Sequence, residues 1–425
     1  MRTFFAGIAA TLMACAAAAT AQTTVILADA VVVDADSKPM GLATVTVTDG
    51  RIVSVEEGWS AVPEGAEMVR LEGKTLVPGL IDLHTHLSGD PSGEFWRGAT
   101  TPPEYSVLVA AKNARVTANA GFTTVRDLGS RTDQVMQSLR RATAEGMLPG
   151  PRIVTAGRTI AIVGGHGDGT NGFRRELHDA LITDFTCTGE VECAEMVRTA
   201  SKYGADLIKI TATGGVLSQQ GRGLEAHFSD EEMRSIVTTA ESLGLKVAAH
   251  AHGARGIEAA ARAGVHTIEH GTYLDERAAQ VMRENGTILV PTLMAFEGVS
   301  ANLGEGFYTP VVEDKIRAVS EYAQTIVSRA ERWGVTVAFG TDAGVFPHGE
   351  NAGEFALMKN NGMSDRAALA SATTGAAQVI GMENEIGRIA PGYSADIIAV
   401  EGNPLDDVTV LEDVDWVMVR GRVQE

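Results

Sequence analysis

Pro78-Gly79-Leu80-Ile81-Asp82-Leu83-His84-Thr85-His86 is an apolar run that ends in two imidazoles two residues apart. Side chains alternate faces along a strand, so positions i and i+2 point the same way. Both rings therefore aim at one point at the strand's carboxyl end, which suits a shared metal ion. Four later runs carry polar groups in a similar way. Leu207-Ile208-Lys209-Ile210 places a lysine inside an apolar strand, where a lone ammonium is costly to bury. Lys246-Val247-Ala248-Ala249-His250 and Thr267-Ile268-Glu269-His270 each finish with a histidine. Val335-Thr336-Val337-Ala338-Phe339-Gly340-Thr341-Asp342 finishes with a carboxylate. Four His, one Lys and one Asp make a binuclear metal constellation, and imidazole with carboxylate suits zinc and related divalent ions. Lys209 also has a plainer reading, in which its stem is buried and its head snorkels to water.

Around these runs, strand patterns alternate with helical ones, which indicates βα units and a parallel sheet. Candidate strands lie near 79–84, 122–127, 152–156, 207–212, 246–250, 267–270, 288–293 and 335–341. Eight such strands with intervening helices predict an α/β fold, a (β/α)8 TIM barrel over residues 79–385. Every proposed ligand then falls at the carboxyl end of its strand, where barrel active sites are built. In Ser229-Asp230-Glu231-Glu232 the serine and the glutamate three residues on form a capping box. Met233, Ile236, Val237, Ala240 and Leu243 follow at helical spacing, and Gly244 supplies a stop. Residues 313–333 read as one long amphipathic helix. Short β-rich runs at both termini, with Asp49-Gly50 as a turn, predict a small β-sandwich domain from residues 22–78 and 386–425.

The 425 residues carry a net charge of −19, with acidic groups scattered along the chain. Nucleic-acid binding needs a basic footprint, so that class is excluded. Arg2, an apolar stretch from Phe4 through Ala14 and the small residues Ala19-Thr20-Ala21 match an export signal cleaved after Ala21, giving a signal peptide over 1–21. A second reading makes Leu12-Met13-Ala14-Cys15 a lipoprotein site with lipid on Cys15. Either one sends the chain to the bacterial periplasm or outside the cell, and no later segment is apolar enough to span a membrane. Cys187 and Cys193 would then face an oxidising compartment and form a disulfide closing a small surface loop. Such a bridge contributes about 2 kcal/mol. Free thiols or soft metal ligands are the other readings.

The order His-x-His, Lys, His, His, Asp resembles the amidohydrolase superfamily of metal-dependent hydrolases over nearly the whole mature chain. Thr123-Thr124-Val125-Arg126-Asp127-Leu128-Gly129, Gly164-Gly165-His166-Gly167 and Lys209-Ile210-Thr211-Ala212-Thr213-Gly214-Gly215-Val216 look like its imidazolonepropionase-related, Xaa-Pro dipeptidase-like branch. The resemblance implies two divalent metals, most simply zinc. It places His84, His86 and Asp342 on the more buried ion and His250 and His270 on the second. Lys209, N6-carboxylated by carbon dioxide, would bridge both, and Asp342 would also shuttle the proton for a metal-bridged hydroxide. Members of this branch are zinc peptidases of carboxypeptidase type that act on dipeptides and N-acyl amino acids, and close relatives cleave ochratoxin A. A homo-oligomer is the family expectation. The alternatives are a cyclic-amide or lactone hydrolase on the same metals and a non-catalytic metal- or solute-binding barrel.

Outside that set, His166 in its glycine-rich loop either meets substrate or is a solvated loop histidine. Tyr273, just past His270, either contacts substrate or packs. Arg126-Asp127 is either a salt bridge supporting the ligands or purely structural. His252 and His266 fill no obvious ligand slot, and His178, His227 and His348 have no assignable role.

Overall fold

Alternating apolar residues at the two ends of the chain need a second element to cover them, and each end finds it in the other. The computed structural model describes residues 22–424 apart from 131–132, 182–184 and 221–222, so the expected export signal and Cys15 lie outside the described residues. Both ends merge into one seven-stranded sheet. Its order is Arg422–Val423, Val414–Val419, Ile397–Glu401, Glu67–Pro78, Thr23–Val31, Ala43–Thr48 and Arg51–Glu57. Asp49 (φ 49) and Gly50 (φ 78) make the hairpin turn with both residues left-handed, as the Asp-Gly pair predicts. The far-edge strand folds back onto the C-terminal segment, where Ile52 N donates to Tyr393 O and Ala395 N to Gly50 O, both at 2.9 Å.

Between the terminal segments the fold is α/β of TIM-barrel type with parallel strands. One three-stranded sheet holds Leu80–Thr85, Phe122–Asp127 and Arg152–Thr155. A six-stranded sheet runs Ile288–Val290, Thr267–His270, Val247–Ala251, Ile208–Thr211, Thr159–Ile162 and Thr186–Cys187. The third expected strand ends at Thr155, and Gly157 (φ 69) turns the chain into a further strand, Thr159–Ile162, that the pattern did not reveal. The eighth expected strand, 335–341, is not a continuous ladder. Leu289 N donates to Thr336 O and Ala338 N to Leu289 O on one side. On the other side, Leu83 N donates to Phe339 O and Asp342 N to His84 O. The segment thus bonds to strands on both flanks through isolated hydrogen bonds and single bridges.

Helices cover the strands. Ser229 caps Asp230–Ser242 with the expected capping box: Ser229 Oγ accepts from Glu232 N, and Glu232 Oε2 accepts from Ser229 N. Leu243, last of the apolar series, is the C-cap and stays 43% exposed. The expected long helix is two, Pro310–Ala323 and Ile326–Arg332, broken at Gln324 and Thr325. Cys187 and Cys193 are disulfide-bonded with Cα atoms 5.0 Å apart. Both are buried in the main core, so the bridge is internal rather than at the surface. Among the described residues no helix is long and apolar enough to cross a membrane.

Candidate metal and catalytic site

The strand-end residues converge on one cleft of about 820 Å³, lined by His84, His86, His166, Lys209, His250, His252, His270 and Asp342. His84 and His86 face it together from the first parallel strand, with ring centroids 5.4 Å apart. Asp342 reaches between them, its Oδ1 3.4 Å from His84 Nε2 and 3.2 Å from His86 Nε2. Lys209 Nζ lies 3.4 Å from His84 Nε2. His250 stacks edge-on to His270 at 4.6 Å. The six residues expected to act together do come together.

Two of them reach the cleft only through strained backbone. His270 (φ 73) and Asp342 (φ 64) are left-handed, a region that side chains with a Cβ rarely adopt. Glu269 already points into the interior, so regular alternation would turn His270 away; the left-handed residue brings it back.

Each ring has one nitrogen committed to the protein. His84 Nδ1 donates to Glu269 Oε2 at 2.9 Å, and His86 Nδ1 donates to Gly129 O at 2.9 Å. His270 Nδ1 meets Thr292 Oγ1 at 2.7 Å; that hydroxyl donates to Pro291 O, so it accepts from the ring. His250 Nε2 donates to Gly214 O at 3.3 Å. The remaining nitrogens carry lone pairs, the state a metal requires. Burial strengthens this. It holds His84 down to about 4, aided by Lys209, and His250 and His270 well below the usual imidazole value. His86 is the exception: burial opposes its charge, but the Asp342 carboxylate outweighs that and raises it. Asp342 is held far below the usual range, the adjacent imidazoles overcoming the effect of burial.

Donor atoms of His250, His252 and His270 lie within 4.8 Å of one another, as do those of His84, His270 and Asp342. These two groups share His270 and could each hold a divalent ion. Asp342 Oδ1 and Thr211 Oγ1 are buried in the cleft wall with no aligned hydrogen bond among the described residues, as befits a site shaped for a ligand. His252 is therefore part of the cluster, contrary to its sequence reading. The spacing that singled out His84 and His86 recurs in His250-Ala251-His252 and was the available signal.

Glu269 was also missed. It accepts from His84 and from Arg126 Nη2 at 2.8 Å, and although burial acts to raise its carboxyl, Arg126 and His84 hold it at about 2. Arg126 thus pairs with Glu269 behind His84, while Asp127 Oδ2 accepts from Leu87 N at 2.8 Å. His166 lines the cleft with its ring 4.4 Å from His250, while Tyr273 does not: its hydroxyl donates to Ala318 O at 3.0 Å and its ring packs on Tyr322. His348 is buried, with Nε2 toward His86 O and Gly89 O. His178 Nε2 meets Phe173 O, and His266 Nε2 meets Val379 O.

Histidine clusters that could hold divalent ions, at the carboxyl ends of parallel strands, are the arrangement of a metal-binding enzyme of TIM-barrel type. Residues 75–423 match the Amidohydrolase family, and the chain belongs to it. It is a hydrolase acting on carbon–nitrogen amide bonds. Ochratoxinase of Aspergillus niger is 30% identical over 416 residues, covering 92% of this chain and 84% of that one. A solved Xaa-Pro dipeptidase with bound methionine in its active site is 38% identical, with a TM-score of 0.88 over 95% of this chain and all of that one. A prolidase complexed with N-methylphosphonate-L-proline gives 31% identity and a TM-score of 0.85, covering 95% and 99%.

Proposed function

We propose that this enzyme hydrolyses the amide bond of small peptide-like substrates, dipeptides and N-acyl amino acids, with ochratoxin A a further candidate. The observation that carries this reading is the convergence of His84, His86, Lys209, His250, His270 and Asp342 in one cleft, with the His84, His250 and His270 imidazoles held neutral by burial. His84, His86 and Asp342 would hold one zinc ion and His250 and His270 a second, with His252 beside the latter. When bound, such ions supply an activated water and polarise the scissile carbonyl. Lys209 would bridge them as a carbamate. Burial lowers its amine to about 8, so a neutral fraction exists to add to carbon dioxide and release a proton. Asp342, kept anionic by its imidazole neighbours, takes the proton of the attacking water and returns it to the leaving amine.

The two parallel sheets are proposed to close as one (β/α)8 barrel over residues 79–385, supported by single bridges from Thr85 to Ala343 and from Leu289 to Val337. Residues 22–78 and 386–425 make the accessory domain. Export to the periplasm and homo-oligomerisation complete the reading.

Metal analysis of the purified enzyme, followed by assays on dipeptides, N-acyl amino acids, ochratoxin A, lactones and cyclic amides, tests it. Turnover of linear amides with about two ions per chain is expected. Turnover confined to lactones or cyclic amides would shift the substrate class, and bound metal with no turnover would favour a binding protein.

A further inference from the structure

The helix Leu293–Ala301 begins one residue after Thr292, whose backbone is left-handed (φ 52). A threonine there ordinarily turns its hydroxyl onto the free backbone N–H groups of the first helical turn. Here the hydroxyl is committed elsewhere, donating to Pro291 O and accepting from His270 Nδ1. The N–H groups of Leu293 and Met294 are taken instead by Glu354, whose Oε1 and Oε2 accept from them at 2.8 and 2.7 Å. Glu354 lies sixty residues away on the helix Gly353–Asn360 and is completely buried. Among the described residues no basic side chain pairs with it. Burial pushes its carboxyl up to about 8, which makes an acid a poor choice for mere packing at this place.

The geometry points to Glu354 as a positioning residue for His270: by capping the helix from outside, it releases the Thr292 hydroxyl to hold the imidazole. The same helix carries Phe296, which lines the cleft edge-on to His252 and His270 at 6.3 and 6.4 Å. Without the cap, the Thr292 hydroxyl is drawn toward the Met294 N–H, at the second helical position, and away from the ring. The link from Thr292 to the ring stands on geometry alone; its consequence for metal rests on the proposed function.

The test uses the full chain and compares Glu354→Gln and Thr292→Val, singly and together. One readout is zinc affinity, by competition with a chromophoric chelator. The other is the His270 Nδ1–H resonance of the metal-free protein, by nitrogen-15-edited NMR. Each single variant should weaken zinc binding by roughly 10- to 100-fold, as expected when the partner of a ligand is lost. Each should also broaden or abolish that resonance. The double variant should be no weaker than Thr292→Val alone, because both act through one contact. Multiplying losses, or parent affinity with an intact resonance in Glu354→Gln, would overturn the inference. If Glu354→Gln does not fold, Glu354→Asp is read by the same criteria. A parent enzyme that binds no metal sinks the proposed function instead, and the resonance still judges this inference.

Discussion

Each imidazole of the cluster is oriented by what its other nitrogen touches, so the chemistry of the site is set one side chain at a time. Asp342→Asn keeps the shape but loses the proton acceptor; kcat should fall by at least about 100-fold with the circular-dichroism spectrum unchanged. Near-normal turnover would remove Asp342 from the chemistry. Lys209→Ala should lose one of two metal ions along with most activity, and full metal content in that variant would defeat the bridging carbamate. The depressed imidazoles also carry a sign. His252 has its pKa lowered to about 3 by burial, so below the unfolded value of 6.5 the unfolded chain takes the proton first. Its contribution to stability is present above pH 6.5 and is lost as pH falls from there toward 3. Burial raises Asp82 and Asp127 to about 6, which acts oppositely. The difference between parent and His252→Gln isolates the ring: in metal-free protein, that difference in urea stability should shrink from pH 7 to pH 5. A constant difference would mean that His252 titrates normally.

At the scale of elements, strand ends and the loops that follow them decide which side chains meet. Apolar runs bounded by turn residues made most barrel strands legible, because hydrophobic spacing depends on local periodicity. The split at Gly157 and the irregular segment before Asp342 were not legible, since both depend on pairing with strands far away in the chain. Nor was the turn of His270 into the cleft, which breaks the alternation that a sequence pattern presupposes. The loop after Ile208–Thr211 shows how closely such segments pack. A Cβ on Gly215 would lie 2.2 Å from His166 Nδ1, so Gly215→Ala must displace that ring. KM for the best substrate should rise several-fold while metal content stays at the parent level. An unchanged KM would return His166 to the role of a bystander.

For the whole molecule, the seven-stranded sheet matters because both of its faces are covered along the strand Ile397–Glu401 up to Val400. Ile397 and Ala399 join one cluster with Ile26 and Leu76, while Ile398 and Val400 face the main core. Residues of the last C-terminal strands therefore help to hold the catalytic part of the chain. Ile398 is fully buried, and Ile398→Ala should destabilise the fold by about 2–5 kcal/mol through lost transfer energy and a residual cavity. Chemical denaturation of the metal-free protein measures this. A change under about 0.5 kcal/mol, the level of an ordinary surface substitution, would show that the sheet and the core are uncoupled.

By itself the amino-acid order determined the family, the parallel α/β class and six of the side chains that meet in the cleft. Those rest on local periodicity and on spacings of one or two residues, which survive without coordinates. Only the tertiary structure decided that His252 and Glu269 belong to the site, that Tyr273 does not, and that Glu354 caps a distant helix. Such roles are contacts between segments up to 185 residues apart, and they follow from packing and backbone strain rather than from any repeat along the chain.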